Sequence, residues 1–192
     1  MWPMSYNIIM KLYTSTKFVI GEVVFLALAV SLLVLFHFPR LVPLNVDLAL
    51  HILGAVMFIG NIVVTAFWML RAERTKDRSA IAFAAQAVNW ADVFFTAPGV
   101  ILLVLSGLQM ALYCDECTQG FATRWLDVAL GLFSISGVLW TFLLIYQNRL
   151  LRELEEGSKE FYKTLHRWYI VGAANTIIPI IILAIMTVKP SF

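Results

Sequence analysis

Two histidines and one aspartate lie close together on either side of a short connection that contains prolines. His37 ends one apolar run, and His51 lies about one turn into the next run, four residues after Asp47. Residues four apart share one face of a helix, so the Asp47 carboxylate could hold one ring nitrogen of His51. The other nitrogen would then be available as a metal ligand. The pattern predicts a ligand site at His51, His37 and Asp47, although a histidine near a helix end is also commonly a hydrogen-bonded interfacial residue.

Two cysteines form a C-x-x-C pattern between two later apolar runs, at Cys114 and Cys117. On an oxidising, external side of a membrane, a local disulfide between them is the interpretation we favour. A redox or metal-binding role is the alternative. Covalent haem attachment would need a histidine directly after the second cysteine, and Thr118 occupies that position.

A third group of polar residues precedes a proline in the middle of an apolar stretch. Asn89 and Asp92 come shortly before Pro98. Proline has no backbone N–H and leaves a carbonyl of the preceding turn without its donor, so these side chains could simply satisfy a kinked helix. An ionisable residue within a membrane is costly to bury, and Asp92 with Asn89 is therefore also a candidate proton relay. Both interpretations stay open.

The composition indicates which kind of structure must position these residues. Of the 192 residues, 61% are hydrophobic and 14% are charged, and the mean hydropathy is +0.85. Soluble domains are nearer half apolar and a quarter charged, so this surface must largely face lipid. The net charge of +2 is spread between apolar runs, which argues against nucleic-acid binding. The chain also lacks a glycine-rich loop of the kind that binds nucleotide phosphates.

Five apolar runs qualify as transmembrane helices, since roughly 20 residues cross a bilayer. They cover residues 23–38, 48–70, 93–114, 128–148 and 168–188. We therefore predict an all-α polytopic membrane bundle of five helices that forms one domain over residues 1–192. An N-terminal helix and loop, residues 1–46, would precede a four-helix core at 47–190, and the first run would be retained. Residues 79–113 form either one long helix kinked at Pro98 or a short interfacial helix followed by a span.

The orientation of the spans follows from the lysines and arginines, which concentrate on the cytoplasmic side of membrane proteins. With the N-terminus inside, eleven of the fourteen basic residues lie on the inner segments and three on the outer ones. The predicted location is the cytoplasmic (inner) membrane, with an external C-terminus and with the histidines and cysteines at the external side. The inner residues are Lys11, Lys17, Arg71, Arg74, Lys76, Arg78, Arg149, Arg152, Lys159, Lys163 and Arg167, and the outer residues are Arg40, Arg124 and Lys189.

Short motifs give the chain a resemblance to known membrane families. The sequence LHILG at 50–54 resembles the opening helix of the copper-resistance protein D-like proteins, of which the J-type protoporphyrinogen oxidases are distant relatives. Further similar motifs are PG at 98–99, SG at 106–107, WL at 125–126 and VKP at 188–190. The nearest resemblance is to a related family of predicted integral membrane proteins with no assigned function. The likeness covers residues 47–190.

This resemblance implies a cofactor. In the J-type oxidases a histidine of the opening helix ligates haem b, and its position corresponds to His51, with His37 available as a second ligand. A lysine of those enzymes corresponds to a position near Ala129, where it is missing; this departure argues against protoporphyrinogen oxidation. We expect first a membrane redox protein with haem b, then a structural subunit of a larger complex or a homo-oligomer, and then a copper-handling protein.

Overall fold

A computed structural model describes residues 41–113 and 123–191, together with the single residues 21, 24, 28 and 31. The predicted first span therefore falls almost wholly outside the described residues. His37, Cys114 and Cys117 lie outside them too.

The described part of the chain is helical, as predicted. Four of its helical segments are long and apolar enough to cross a membrane, and they correspond to the last four predicted spans. Side chains such as Val56, Val138 and Ile170 are more than half exposed, which suits a surface that contacts lipid. The helices are α1 (Leu44–Arg74), α2 (Arg78–Ala91), α3 (Ala97–Tyr113), α4 (Arg124–Glu155) and α5 (Phe161–Val188).

Helices α2 and α3 form one continuous span, joined by a π-helical turn at Asp92–Thr96. In this turn the N–H of Ala97 bonds to the carbonyl of Asp92, five residues earlier. A π turn fits before Pro98 because the proline ring would otherwise meet the carbonyl four residues back and could not donate to it. Of the two arrangements considered for residues 79–113, the structure has the single long helix.

Helices α1 and α3 cross closely at a pair of glycines. A Cβ atom on Gly54 would lie 2.8 Å from the carbonyl oxygen of Gly99 and 2.9 Å from the backbone nitrogen of Leu103. A Cβ on Gly99 would lie 3.1 Å from the carbonyl oxygen of Gly54. Only residues without a side chain allow two backbones to approach so closely, as is common between membrane helices. This crossing fixes the position of α3 against α1.

The apolar core lies at the end of the bundle where the connections 75–77 and 156–160 occur, which we call the basic end. Apolar side chains from α1, α2, α4 and α5 meet there. Asp77 begins α2 by accepting hydrogen bonds from the backbone N–H of Ser79 at 2.8 Å and from its hydroxyl at 2.9 Å. The largest buried members of this core are Met69, Ile81, Leu150, Phe161 and Leu165.

Candidate functional site

The imidazole ring of His51 is held by α3. Its Nδ1 lies 3.1 Å from the carbonyl oxygen of Leu103 and 3.3 Å from the hydroxyl oxygen of Ser106. A carbonyl can only accept a hydrogen bond, so Nδ1 carries the proton and donates it. The lone pair of the neutral ring is therefore on Nε2, which makes no hydrogen bond to any residue in the described ranges.

A glycine makes room for this ring. A Cβ on Gly107 would lie 3.0 Å from Cε1 of His51 and 3.2 Å from its Nδ1. The imidazole thus rests against the backbone of α3, one residue beyond the Ser106 hydroxyl. A ring fixed in this way has few orientations, and a fixed orientation is what a metal-ligating histidine requires.

The neighbouring polar residues differ from the arrangement expected from the sequence. Asp47 is almost fully buried, with 2% of its surface exposed. The hydrogen bonds of the His51 ring to described residues nevertheless go to Leu103 and Ser106, so a backbone carbonyl takes the place considered for the carboxylate. Gln109, also buried, accepts a hydrogen bond from the backbone N–H of Leu41 at 3.2 Å and ties the segment before α1 to α3.

The other predicted ligands, His37, Cys114 and Cys117, lie outside the described residues. Within the described ranges, no three histidine, cysteine or acidic side chains come together as a metal-binding group. His51 is therefore the predicted ligand whose surroundings the structure describes.

A second polar group lies deeper in the bundle, around Asp92. Its Oδ1 accepts hydrogen bonds from Asn61 Nδ2 at 3.1 Å and from the Thr96 hydroxyl at 2.9 Å. Its Oδ2 accepts one from Gln147 Nε2 at 3.3 Å, and Asn61 Nδ2 also donates to the Thr96 oxygen at 2.8 Å. All four side chains are at most 9% exposed. We call these residues, from α1, the π turn and α4, the Asp92 cluster.

Asn89, which the sequence paired with Asp92, lies one turn nearer the basic end. It is buried, and its Nδ2 has no hydrogen-bond partner among the described residues. The structure thus brings Asp92 to Asn61, Thr96 and Gln147, and leaves Asn89 as the next buried polar group along the same helix.

The chain matches a known family of membrane proteins over most of its length. A family described as "Predicted integral membrane protein (DUF2269)" matches residues 46–190, about three quarters of the chain. The chain belongs to this family. The membrane family expected from the motifs is thereby confirmed, while the likeness to the copper-resistance protein D-like proteins stays a prediction. Neither the curated proteins nor the solved structures contain a match for this DUF2269 protein.

Three side-chain amides in this DUF2269 protein were not predicted from its sequence: Asn61, Gln147 and Gln109. The sequence of α1 did contain a signal for Asn61, because small or polar residues recur there at helical spacing within an apolar run. In a lipid-facing helix the residues that depart from uniform hydrophobicity mark the buried face. The buried residues of α1 are Asp47, Gly54, Phe58, Asn61, Thr65 and Met69.

Proposed function

We propose that this protein is an integral membrane redox protein, or a subunit of one, that binds haem b through Nε2 of His51. The observation that carries the proposal is the hydrogen bond from Nδ1 to the Leu103 carbonyl at 3.1 Å, which leaves Nε2 as the lone-pair nitrogen. Ligating histidines usually donate their second ring N–H to a carbonyl or carboxylate. The resemblance of the segment around His51 to the opening helix of the J-type oxidases, whose histidine ligates haem b, supports the same assignment.

The roles of the protein residues follow from this geometry. The Leu103 carbonyl fixes the tautomer and increases the electron donation of the ring, while Gly107 and Ser106 limit its rotation. His37, at the end of the preceding apolar run, is proposed as the residue that would supply a second ligand, with Asp47 beside the site. Haem would supply one-electron chemistry at a potential set by its ligands and by the polarity around it.

We further propose that the site faces the outside of the cytoplasmic membrane. With the N-terminus inside, the connections 75–77 and 156–160 and their basic neighbours lie in the cytoplasm, as the positive-inside rule favours. His51, in the second turn of α1, would then lie close to the external boundary. Its electron partner would accordingly be reached from the external side.

A reduced-minus-oxidised visible spectrum of the purified full-length protein tests the haem proposal. We expect a haem α-band in the wild type and its loss in His51→Ala. His166→Ala is the matched control, because His166 is exposed at the start of α5, and its spectrum should equal that of the wild type. Absence of the band in protein expressed with sufficient haem, or its persistence in His51→Ala, would reject the proposal.

An accessory role in a larger complex is the second candidate, and α4 carries the observation that favours it. Gly131, Ser134 and Gly137 are exposed, and a Cβ on either glycine would meet nothing within 4 Å. Small residues on a lipid-facing surface allow another helix to approach closely. A stable co-purifying subunit that is lost in Gly131→Leu, in a protein without haem, would support this role over the first.

Copper handling is the third candidate, and it depends on His51 together with His37, Cys114 and Cys117. Imidazole and thiolate groups are suitable copper ligands. Metal analysis of the wild type and of a variant with both cysteines replaced by serine distinguishes this candidate. Copper that is retained by the wild type and lost from the variant would favour it, and equal metal contents would count against it.

A further inference from the structure

The Asp92 cluster places a carboxyl group in the interior of the bundle with uncharged partners. Asn61 is near the middle of the 31-residue helix α1, so the cluster lies well inside the bilayer. All hydrogen-bond partners of Asp92 in the described ranges are uncharged, namely Asn61, Thr96 and Gln147. The nearest charged residue along α4 is Arg149, which pairs with Glu153 at 2.6 Å.

The groups that face Asp92 from the surrounding helices leave its charge uncompensated. From α1 this is Asn61, and the next buried polar residues along the chain are Thr65 on α1 and Asn89 on α2. Helix α3 carries no aspartate, glutamate, histidine, lysine or arginine, and its one tyrosine, Tyr113, is its last residue, more than five turns from Asp92 along the chain. Helix α4 contributes Gln147. A carboxylate without a cationic partner is much less favourable in a low-dielectric interior than in water, whereas the neutral acid avoids most of that cost.

Gln147 can serve Asp92 in both charge states. Its Nε2 donates to Asp92 Oδ2, while its Oε1 is buried and has no hydrogen-bond partner in the described part of the chain. When Oδ2 carries a proton, rotation of the amide by half a turn brings Oε1 to the position of the acceptor. Oδ1 keeps its donors, Asn61 and Thr96, in either state. An amide has both functions, which a hydrocarbon side chain could not provide.

From this arrangement we infer that Asp92 is a proton-binding site in the membrane interior, with Gln147 as a positioning residue that exchanges donor for acceptor when the proton binds. The proton comes from water at one membrane surface, resides on Oδ2, and returns to water when the carboxylate forms. Asn61 and Thr96 direct their hydrogen-bond donors at Oδ1, so that oxygen is not available to coordinate a metal cation, and Oδ2 binds a proton instead. Asn89 lies one turn nearer the basic end and is the next buried polar group between Asp92 and the membrane surface at that end.

Infrared spectroscopy of the full-length protein in lipid vesicles tests the inference. At neutral pH we expect the C=O stretching band of a protonated carboxyl group in the wild type, and its loss in Asp92→Asn. Asp127→Asn is the control and should retain the band, because Asp127 is exposed in the first turn of α4. Gln147→Leu should shift the band to higher frequency, because the acid then lacks its acceptor. Raising the pH should convert the band to that of a carboxylate in the wild type.

The two variants keep the test decisive even when one of them folds poorly. If Asp92→Asn cannot be purified, the frequency shift in Gln147→Leu still reports on the same group. A carboxyl band that survives in Asp92→Asn, is unmoved in Gln147→Leu, or is missing from the wild type at neutral pH would overturn the inference. None of these results depends on haem, so this site and the His51 site are tested separately.

Discussion

The glycine crossing between α1 and α3 gives the sharpest test of the fold, because the same substitution can be made at two positions of one helix. Gly54→Ala puts a methyl group 2.8 Å from the Gly99 carbonyl oxygen and 2.9 Å from the Leu103 nitrogen, both of which are backbone atoms. Gly60→Ala, less than two turns further along, meets nothing within 4 Å. The helix propensity gained from alanine is common to both variants, so it cancels in their difference.

The remaining difference is the cost of overpacking. Relieving a contact of this kind requires the helices to separate by several tenths of an ångström, and overpacked cores typically lose about 1–3 kcal/mol. For a chain of this size, each kcal/mol lowers Tm by roughly 2–4 °C, so Gly54→Ala should melt roughly 2–12 °C below Gly60→Ala. Thermal unfolding in detergent, followed by tryptophan fluorescence, measures this difference. Equal melting temperatures would show that α1 and α3 do not cross at these glycines.

Three further predictions concern single side chains. Gly107→Ala should displace the His51 ring and lower the haem affinity about 10- to 100-fold, which a haem titration measures. Gly137→Ala on α4, where a Cβ would meet nothing within 4 Å, should leave the haem affinity unchanged. Ser136→Ala should destabilise the protein by about 1–3 kcal/mol, because it removes the buried hydrogen bond of 2.7 Å from the Ser136 hydroxyl on α4 to Asn175 Oδ1 on α5. Thermal unfolding measures the loss, and Ser134→Ala, at an exposed serine of α4, is the control. Hydrogen bonds from Ser79 lower the pKa of Asp77, so its stabilisation of α2 is present above the ordinary aspartate pKa and is lost as the pH falls through the lowered value. Melting curves in the acid range should show this loss in the wild type, and Asp77→Asn should lack that part of the pH dependence.

The spans were predictable because their signal is local. Each of the four described spans contains a long stretch of high mean hydropathy, and the length of that stretch distinguishes it from a buried soluble helix. The break before Pro98 was also visible in the sequence. Its form was not, since a π turn and a short interfacial helix both accommodate a proline. In the observed π turn, Asp92 accepts hydrogen bonds from Asn61 and Gln147, which are distant in sequence.

The candidate sites were predictable only in part, for a different physical reason. His51 and Asp92 stood out because ionisable residues are rare within apolar runs. The group that holds His51 is the backbone carbonyl of Leu103, and a carbonyl has no signature in a sequence because every residue has one. The partners of Asp92 are amides and a hydroxyl spread over three elements. Which of them meet depends on helix rotation, and rotation is set by packing such as the Gly54–Gly99 crossing.

Both sites depend on the pairing of α1 with the long span formed by α2 and α3. His51 and Asn61 are ten residues apart on α1, which corresponds to about 15 Å along a helix axis, and Gly54 lies between them. A change at Gly54 that moved α3 outward would lengthen the bond between His51 and Leu103 and also loosen the Asp92 cluster. Substitutions at His51 or Asp92 remove one group and leave the crossing intact. If His51→Ala abolished the haem band without altering the carboxyl band, and Gly54→Ala weakened both, the common cause would be the helix pairing.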